Sequence, residues 1–295
     1  MKEPRIVTAL DDLSWDSSEE VHLAIGMFDG LHLGHQAVIE AAKHSAVKNN
    51  ACVGVLTFSP HPSRILYPEK AVPLIMPAHE KHAMLQKLGV DLIIDQAFTK
   101  AFAKIKAEDF LPLIKQHIPG LKSLYVGDAF RFGQGRSGDV ALLVELGKAL
   151  GVDVFSLKRI QCSETVISST RIRKMIAQGD MQEANKLLGY TYFSEGQCLC
   201  DEGQCALAFN WAPELKPLSG AYAVRILAEE LLNPLHGLAY YDAQSARLKI
   251  YLLEPSKAFY FKGGARVEWL HLISAGASEY QEKDKQKAIN WFQEA

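Results

Sequence analysis

No run of about 18 uninterrupted apolar residues occurs in this 295-residue chain, which excludes a transmembrane helix candidate. Excess positive charge is missing too. With 32 Lys and Arg against 34 Asp and Glu, the formal net charge is -2, and no basic block stands out. No electrostatic grip on nucleic acid is therefore expected, and any phosphate chemistry must be done by a few placed groups. The N-terminal MKEPRIVTALDDLSWDSSEE turns acidic where a signal peptide needs its apolar run, so a cytoplasmic location is expected. Cysteines number only five, and Cys198, Cys200 and Cys205 lack a second ligand pair at metal-site spacing. They read as buried, reduced thiols. No G-x-x-x-x-G-K-S/T segment exists, which excludes P-loop chemistry, and neither an internal repeat nor a low-complexity linker is visible.

What is present is a globular balance, 48% hydrophobic and 22% charged, at a length that suggests two domains. Periodicity predicts strands over Val21–Gly26, Ala51–Phe58, Val90–Asp95, Leu121–Val126 and Val152–Leu157. Between them it predicts helices over Gly34–Lys48, Pro77–Leu88, Ala107–His117 and Val140–Leu150. This alternation is that of an α/β fold, a parallel sheet with helices on both faces. Ligands of such sheets sit beyond the carboxyl ends of the strands, where the chain places MFDGLHLGHQ, SPHPSR, GDAFRFGQGRSGD and ISSTRIRK. From about Gly189 the alternation stops. Strand-like runs at Gly220–Leu227 and Ala246–Leu253, then a helix over Glu282–Phe292, predict a smaller, mostly β, barrel-like domain with a terminal helix. The expected domains are 1–188 and 189–295.

The strongest local signal is Gly26-Met27-Phe28-Asp29-Gly30-Leu31-His32-Leu33-Gly34-His35. Gly30 and Gly34 permit tight turns and close approach to a ligand. His32 and His35 would stand at a helix start, where free N–H groups and the helix dipole favour phosphate, and could donate hydrogen bonds to triphosphate oxygens. Two plainer readings stand beside this one: ordinary surface or core histidines, and an H-x-x-H metal pair. Neither accounts for the flanking glycines. The second signal is Ser168-Ser169-Thr170-Arg171-Ile172-Arg173, read as another helix start. A serine N-cap is its structural role. Arg171 and Arg173 in the first turn oppose the helix dipole, a mismatch that an anion at this end would resolve.

GMFDGLHLGHQ, TFSPHP, YVGDAFRFGQGRSGD and ISSTRIRKMIAQGDMQEANKLLG, in this order, resemble the motif series of the bacterial bifunctional riboflavin kinase/FAD synthetase family. The resemblance covers about Val21 to Gly189. It implies a Rossmann-like nucleotidyltransferase domain that adenylates FMN with ATP and Mg2+, giving FAD and pyrophosphate. By this resemblance His32, His35 and Arg173 handle phosphates, and Ser169 and Thr170 contact the nucleotide. Gly26, Phe28, Asp29, Gly30, Gly34, His61, Asp128, Ser168 and Arg171 complete the expected nucleotide- and flavin-binding set. No metal ligand is assigned. The expected partners are small-molecule substrates, with neither nucleic acid nor membrane.

The chain departs from the family at several points. Asp128 is followed by Ala129 where an Asp or Asn is usual, and Ser59 stands where an acid is common. The family's kinase half carries a P-T-x-N segment; here the corresponding stretch runs from Gly203 to Trp211 without that tetrapeptide. Lys249 falls at the position of the family's glutamate base. An ammonium cannot accept the proton of a ribityl hydroxyl, so a kinase domain without kinase chemistry is expected.

Overall fold

The computed structural model describes residues 3–16, 18–162, 165–201, 204–209, 215–229, 231–245, 247–253 and 261–294, with the side chains of 200, 201, 204–209 and 261 left aside. Two compact units divide at Ile167/Ser168, ahead of the expected boundary at 188/189.

The first unit contains β1 (Arg5–Val7), β2 (Val21–Ile25), α1 (Leu33–Lys48), β3 (Cys52–Ser59), α2 (Pro62–Leu66), α3 (Ala78–Lys87) and β4 (Leu92–Ala97). It continues with α4 (Ala107–His117), β5 (Leu121–Gly127), α5 (Val140–Leu150), β6 (Asp153–Leu157) and a small hairpin, β7 (Gln161–Cys162) and β8 (Thr165–Val166). Six strands form one sheet in the order β1-β4-β3-β2-β5-β6, and every pairing is parallel. β2 is buried at all five positions, as expected of a central strand covered on both faces. Right-handed crossovers leave the sheet centre in opposite directions, placing α1 and α3 on one face and α4 and α5 on the other. The direction changes between the adjacent strands β2 and β5. Doubly wound sheets bind ligands beyond the carboxyl ends of the strands at such a point.

Two boundaries differ from expectation. Pro77 caps α3 from outside rather than opening its first turn. Val90 still donates to the Leu85 carbonyl, across a left-handed Gly89 that ends α3, so the strand begins only at Leu92. The edge strand β1 was not foreseen.

The second unit opens with α6 (Ser169–Gln178) and α7 (Met181–Leu188). β9 (Phe193–Asp201), β10 (Gln204–Phe209), β11 (Gly220–Leu227), β12 (Leu235–Asp242), β13 (Arg247–Leu252) and β14 (Phe261–Ala275) close into an antiparallel barrel, ordered β10-β13-β12-β11-β14-β9. Asn185 ties α7 to it: its amide donates to the Trp269 carbonyl at 2.8 Å and accepts from the Tyr192 N–H at 2.7 Å. Trp269, Tyr222 and Tyr241 form a buried edge-to-face cluster. The terminal helix α8 (Glu282–Glu294) inserts a fully buried Asp284, which accepts from the Ser274 hydroxyl at 2.7 Å. Cys198 is buried as expected, and burial pushes its thiol up to about 11. The side chains of Cys200 and Cys205, and the stretch from Gly203 to Trp211 with its missing tetrapeptide, lie outside the described side chains. Among the described residues, no helix is long and apolar enough to cross a membrane.

Candidate functional site

The loop after β2 is built by its own sequence. Phe28 (φ 49°), Gly30 (φ 77°) and Leu31 (φ 36°) all adopt positive φ, a concentration of left-handed backbone that costs folding energy and marks functional loops. At Gly30 a Cβ would lie 2.8 Å from the Ile75 side chain, so both conformation and space demand glycine. Asp29 is 5% exposed, and its two carboxylate oxygens accept from the Ile75 N–H at 3.0 and 3.3 Å. That carboxylate pins the loop, a role the sequence did not reveal.

His32 is the N-cap of α1: its Nδ1 accepts from the His35 backbone N–H at 3.2 Å. The same N–H also reaches the His32 carbonyl at 2.8 Å, and an Nδ1 that accepts leaves Nε2 as the ring's donor nitrogen. The His32 and His35 rings stack with centroids 3.6 Å apart and 16° between planes. Phe28 meets the His35 ring edge-on at 5.4 Å. Gly34 explains the spacing of the motif. A Cβ there would lie 3.1 to 3.2 Å from the His32 ring, so any larger residue would push the capping ring by a few tenths of an ångström. Gly26 works likewise beneath Phe28, whose ring would meet an added Cβ at 3.0 Å. The expected pairing of both histidines at a helix start is thus present, beyond the carboxyl end of β2.

The loop after β3 repeats the device. His61 caps α2, its Nδ1 accepting from the Ser63 N–H at 3.2 Å and lying 2.8 Å from the Ser63 hydroxyl. Beside it opens a cavity lined by Met27, Phe58, Leu74, Met76, Arg64 and Lys81, with an internal volume of about 150 Å³. Apolar walls with a few convergent polar heads are the usual make-up of a small-molecule site.

Below that cavity lies a polar network the sequence reading missed. Lys81 (6% exposed) donates to the Thr57 hydroxyl at 3.0 Å, and Thr57 donates to the Met27 carbonyl at 3.0 Å. Asp95 (5% exposed) stands 3.7 Å from the Lys81 ammonium, bonds His82 Nε2 at 2.7 Å and accepts from the Ser59 hydroxyl at 3.0 Å. Burial pulls the Lys81 ammonium below the ordinary lysine value, against the attraction of Asp95 and Asp29. Burial works to raise the Asp95 carboxyl, but His82, Lys81 and Ser59 outweigh it and hold it below the ordinary carboxylate value. The one available signal was an aspartate closing the apolar run VDLIID. Ser59, at a position where an acid is common, here donates to an acid supplied by the next strand.

Asp128 is exposed and pairs with Arg159 at 3.0 Å, so its carboxylate is engaged on the rim. In the second unit Ser168 is the N-cap of α6, its hydroxyl accepting from the Arg171 N–H at 3.2 Å. Arg171 forms an ion pair of 2.7 Å with Glu183 on α7. That pair offsets part of the charge mismatch in the first turn. Ser169 and Thr170 lie in the same first turn, and Arg173, the fifth residue of α6, opens the second, one turn deeper than expected. Lys249 is exposed on β13, in register with Tyr240 of β12.

The sequence model described as FAD synthetase matches residues 15–171. The chain is 31% identical over 269 residues to the bifunctional riboflavin kinase/FMN adenylyltransferase of Escherichia coli K12, covering 87% of this chain and 85% of that protein. It is 37% identical over 180 residues to a Listeria monocytogenes protein named FAD synthetase, covering 59% of this chain and 70% of that one. A solved structure described as a macrolide-efflux protein from Streptococcus pneumoniae superposes with a TM-score of 0.83, covering 100% of this chain and 98% of that one. At 23% identity, that likeness establishes the two-domain α/β-plus-barrel fold alone. On the family match and the relatives together, the chain belongs to the FAD synthetase family.

Proposed function

We propose that this chain is an FMN adenylyltransferase, moving AMP from ATP to FMN and releasing pyrophosphate. The observation that carries the proposal is the stacked His32–His35 pair at the start of α1, beyond the carboxyl end of the central strand β2. A phosphate oxygen of FMN attacks the α-phosphorus of ATP. The new P–O bond forms as the bond to the bridging oxygen breaks, and pyrophosphate leaves with that electron pair. FMN's phosphate is already ionised near neutral pH, so the attack requires no general base. Catalysis then consists of alignment and charge neutralisation, for which two ring N–H donors and the free N–H groups of α1 are suited. The family resemblance adds Ser169, Thr170 and Arg173 as nucleotide contacts, with Ser168 capping their helix. Mg2+ arriving with ATP would supply further neutralisation of phosphate charge, and no residue of this chain is assigned as its ligand. The cavity beside His61 suits a flat ring system, with Phe58 and Met27 as apolar walls.

Residues 1–188 serve this reaction in our reading, and 189–295 form a riboflavin kinase-like domain without kinase chemistry. Lys249 is the observation behind that second statement, because an ammonium occupies the place assigned to the base. The bifunctional names of relatives that cover most of the chain favour the opposite reading. One experiment separates the two: chromatography of products from ATP and Mg2+ with FMN in one tube and riboflavin in another. FAD from FMN and nothing from riboflavin is expected. FMN or FAD from riboflavin would make the enzyme bifunctional, and no product in either tube would remove the adenylyltransferase reading.

A further inference from the structure

A buried Lys–Asp pair needs an explanation, because such pairs contribute little net stability. Replacing one by apolar side chains of similar volume is often neutral or stabilising. Lys81 and Asp95 are both nearly inaccessible, yet they sit at the ligand end of the sheet, beside the cavity and not in the middle of the core. Their hydrogen bonds lead in one direction. Asp95 holds Lys81, Lys81 donates to Thr57, and Thr57 donates its own hydrogen bond to the carbonyl of Met27, the second residue of the loop that ends at His32, the cap of the helix carrying His35. The lysine is also attracted by Asp29, the carboxylate that pins the same loop to Ile75.

The geometry points to Lys81 and Thr57 as positioning residues that fix the phosphate-handling loop through the Met27 carbonyl, and so set where the two histidine rings stand. This rests on the adenylyl-transfer reading for its consequence on rate, but the coupling itself is a property of the loop. Thr57 is the hinge of the relay, because its single hydroxyl must accept from one neighbour and donate to the other. The loop it steadies contains Phe28, Gly30 and Leu31 in left-handed conformations, a backbone that needs its position determined from outside. A displacement of about 1 Å in a phosphate-aligning group can lower the rate by about a hundredfold.

Thr57→Val removes the relay while keeping the shape, Thr57→Ser restores it, and Lys81→Met breaks it one step earlier. Two readouts are needed. Steady-state kinetics should show kcat down about tenfold or more in Thr57→Val and Lys81→Met, with KM for FMN changed less than about threefold, and Thr57→Ser close to the parent. NMR of the histidine ring signals, which needs no turnover, should show His32 and His35 shifted in Thr57→Val while His117 keeps its position. Unmoved His32 and His35 signals would overturn the inference, as would a lower melting temperature with unchanged kcat per folded molecule. A raised KM with kcat intact would make Lys81 a direct ligand contact and overturn it too. If the parent enzyme forms no FAD at all, the adenylyltransferase reading fails, while the ring signals still decide whether the relay exists.

Discussion

His32 carries two burdens, and they can be separated. Its Nδ1 caps α1, and its other nitrogen is proposed to face phosphate. His32→Asn keeps a competent cap, so we expect little change in melting temperature but a loss of about a hundredfold or more in adenylyl transfer. His32→Ala should show the same loss of rate with an additional cost of about 1 kcal/mol in stability for the missing cap. Turnover near that of the parent in either variant would displace the histidines from the mechanism. Gly34→Ala tests the packing argument. Alanine is a better helix former, yet its methyl would press on the His32 ring, so stability should hold while turnover falls about tenfold. A fully active Gly34→Ala enzyme would show that the ring's exact seat is immaterial. At this scale the placement of the histidines and glycines at a helix start was legible, because their spacing is local. Lys81, Thr57 and Asp95 were illegible because their partners come from three different strands and helices.

Elements of the first unit followed periodicity closely: α4 and α5 have the expected limits, and the central strands differ by a residue or two. Local pattern suffices where a segment is long and its apolar face continuous. It failed for β1, whose three residues have no period to detect. It was blurred at β4, where the Gly89 turn shifts the start. β3, β4 and α3 are further held together by Asp95, and this has an acid signature. The folded carboxyl titrates below its ordinary value of 3.8. Its stabilising contribution is therefore complete above that value and is lost as pH falls through the lower folded one. Asp95→Asn leaves the Lys81 ammonium buried without its counter-charge, a cost of about 3–5 kcal/mol near neutrality. Denaturant melts across pH should show the parent and Asp95→Asn far apart at pH 7 and converging below about 4. A constant gap across that range would remove ionisation of Asp95 as the cause.

For the whole chain, the α/β-plus-barrel plan and the family were legible from four ordered motifs, whereas the unit boundary was not. α6 and α7 continue the helical rhythm of the first unit in sequence, but Asn185 bonds them to the barrel. Contacts of that kind leave no trace in periodicity. At this scale one substitution is informative by doing nothing: Lys249→Glu restores a carboxylate to exposed β13, but the P-T-x-N segment remains missing. We expect no FMN from riboflavin and ATP in that variant; clear FMN production would show that the barrel domain is one residue from being a kinase.

The edge strand β1 has a practical consequence for how the chain can be cut. β1 pairs with β4 from Arg5 to Val7, and the same margin is sealed by the Leu10 N–H on the Gln96 side chain and the Ala97 N–H on the Thr8 carbonyl. The family match begins only at residue 15, so a chain trimmed to start there, its C-terminal part kept, would discard this cover and leave the Leu92–Ile94 backbone unpaired along one side. A bare, apolar strand margin of that kind recruits strands from other molecules. The trimmed chain should therefore accumulate as insoluble aggregate even with every phosphate-handling residue of the first unit intact.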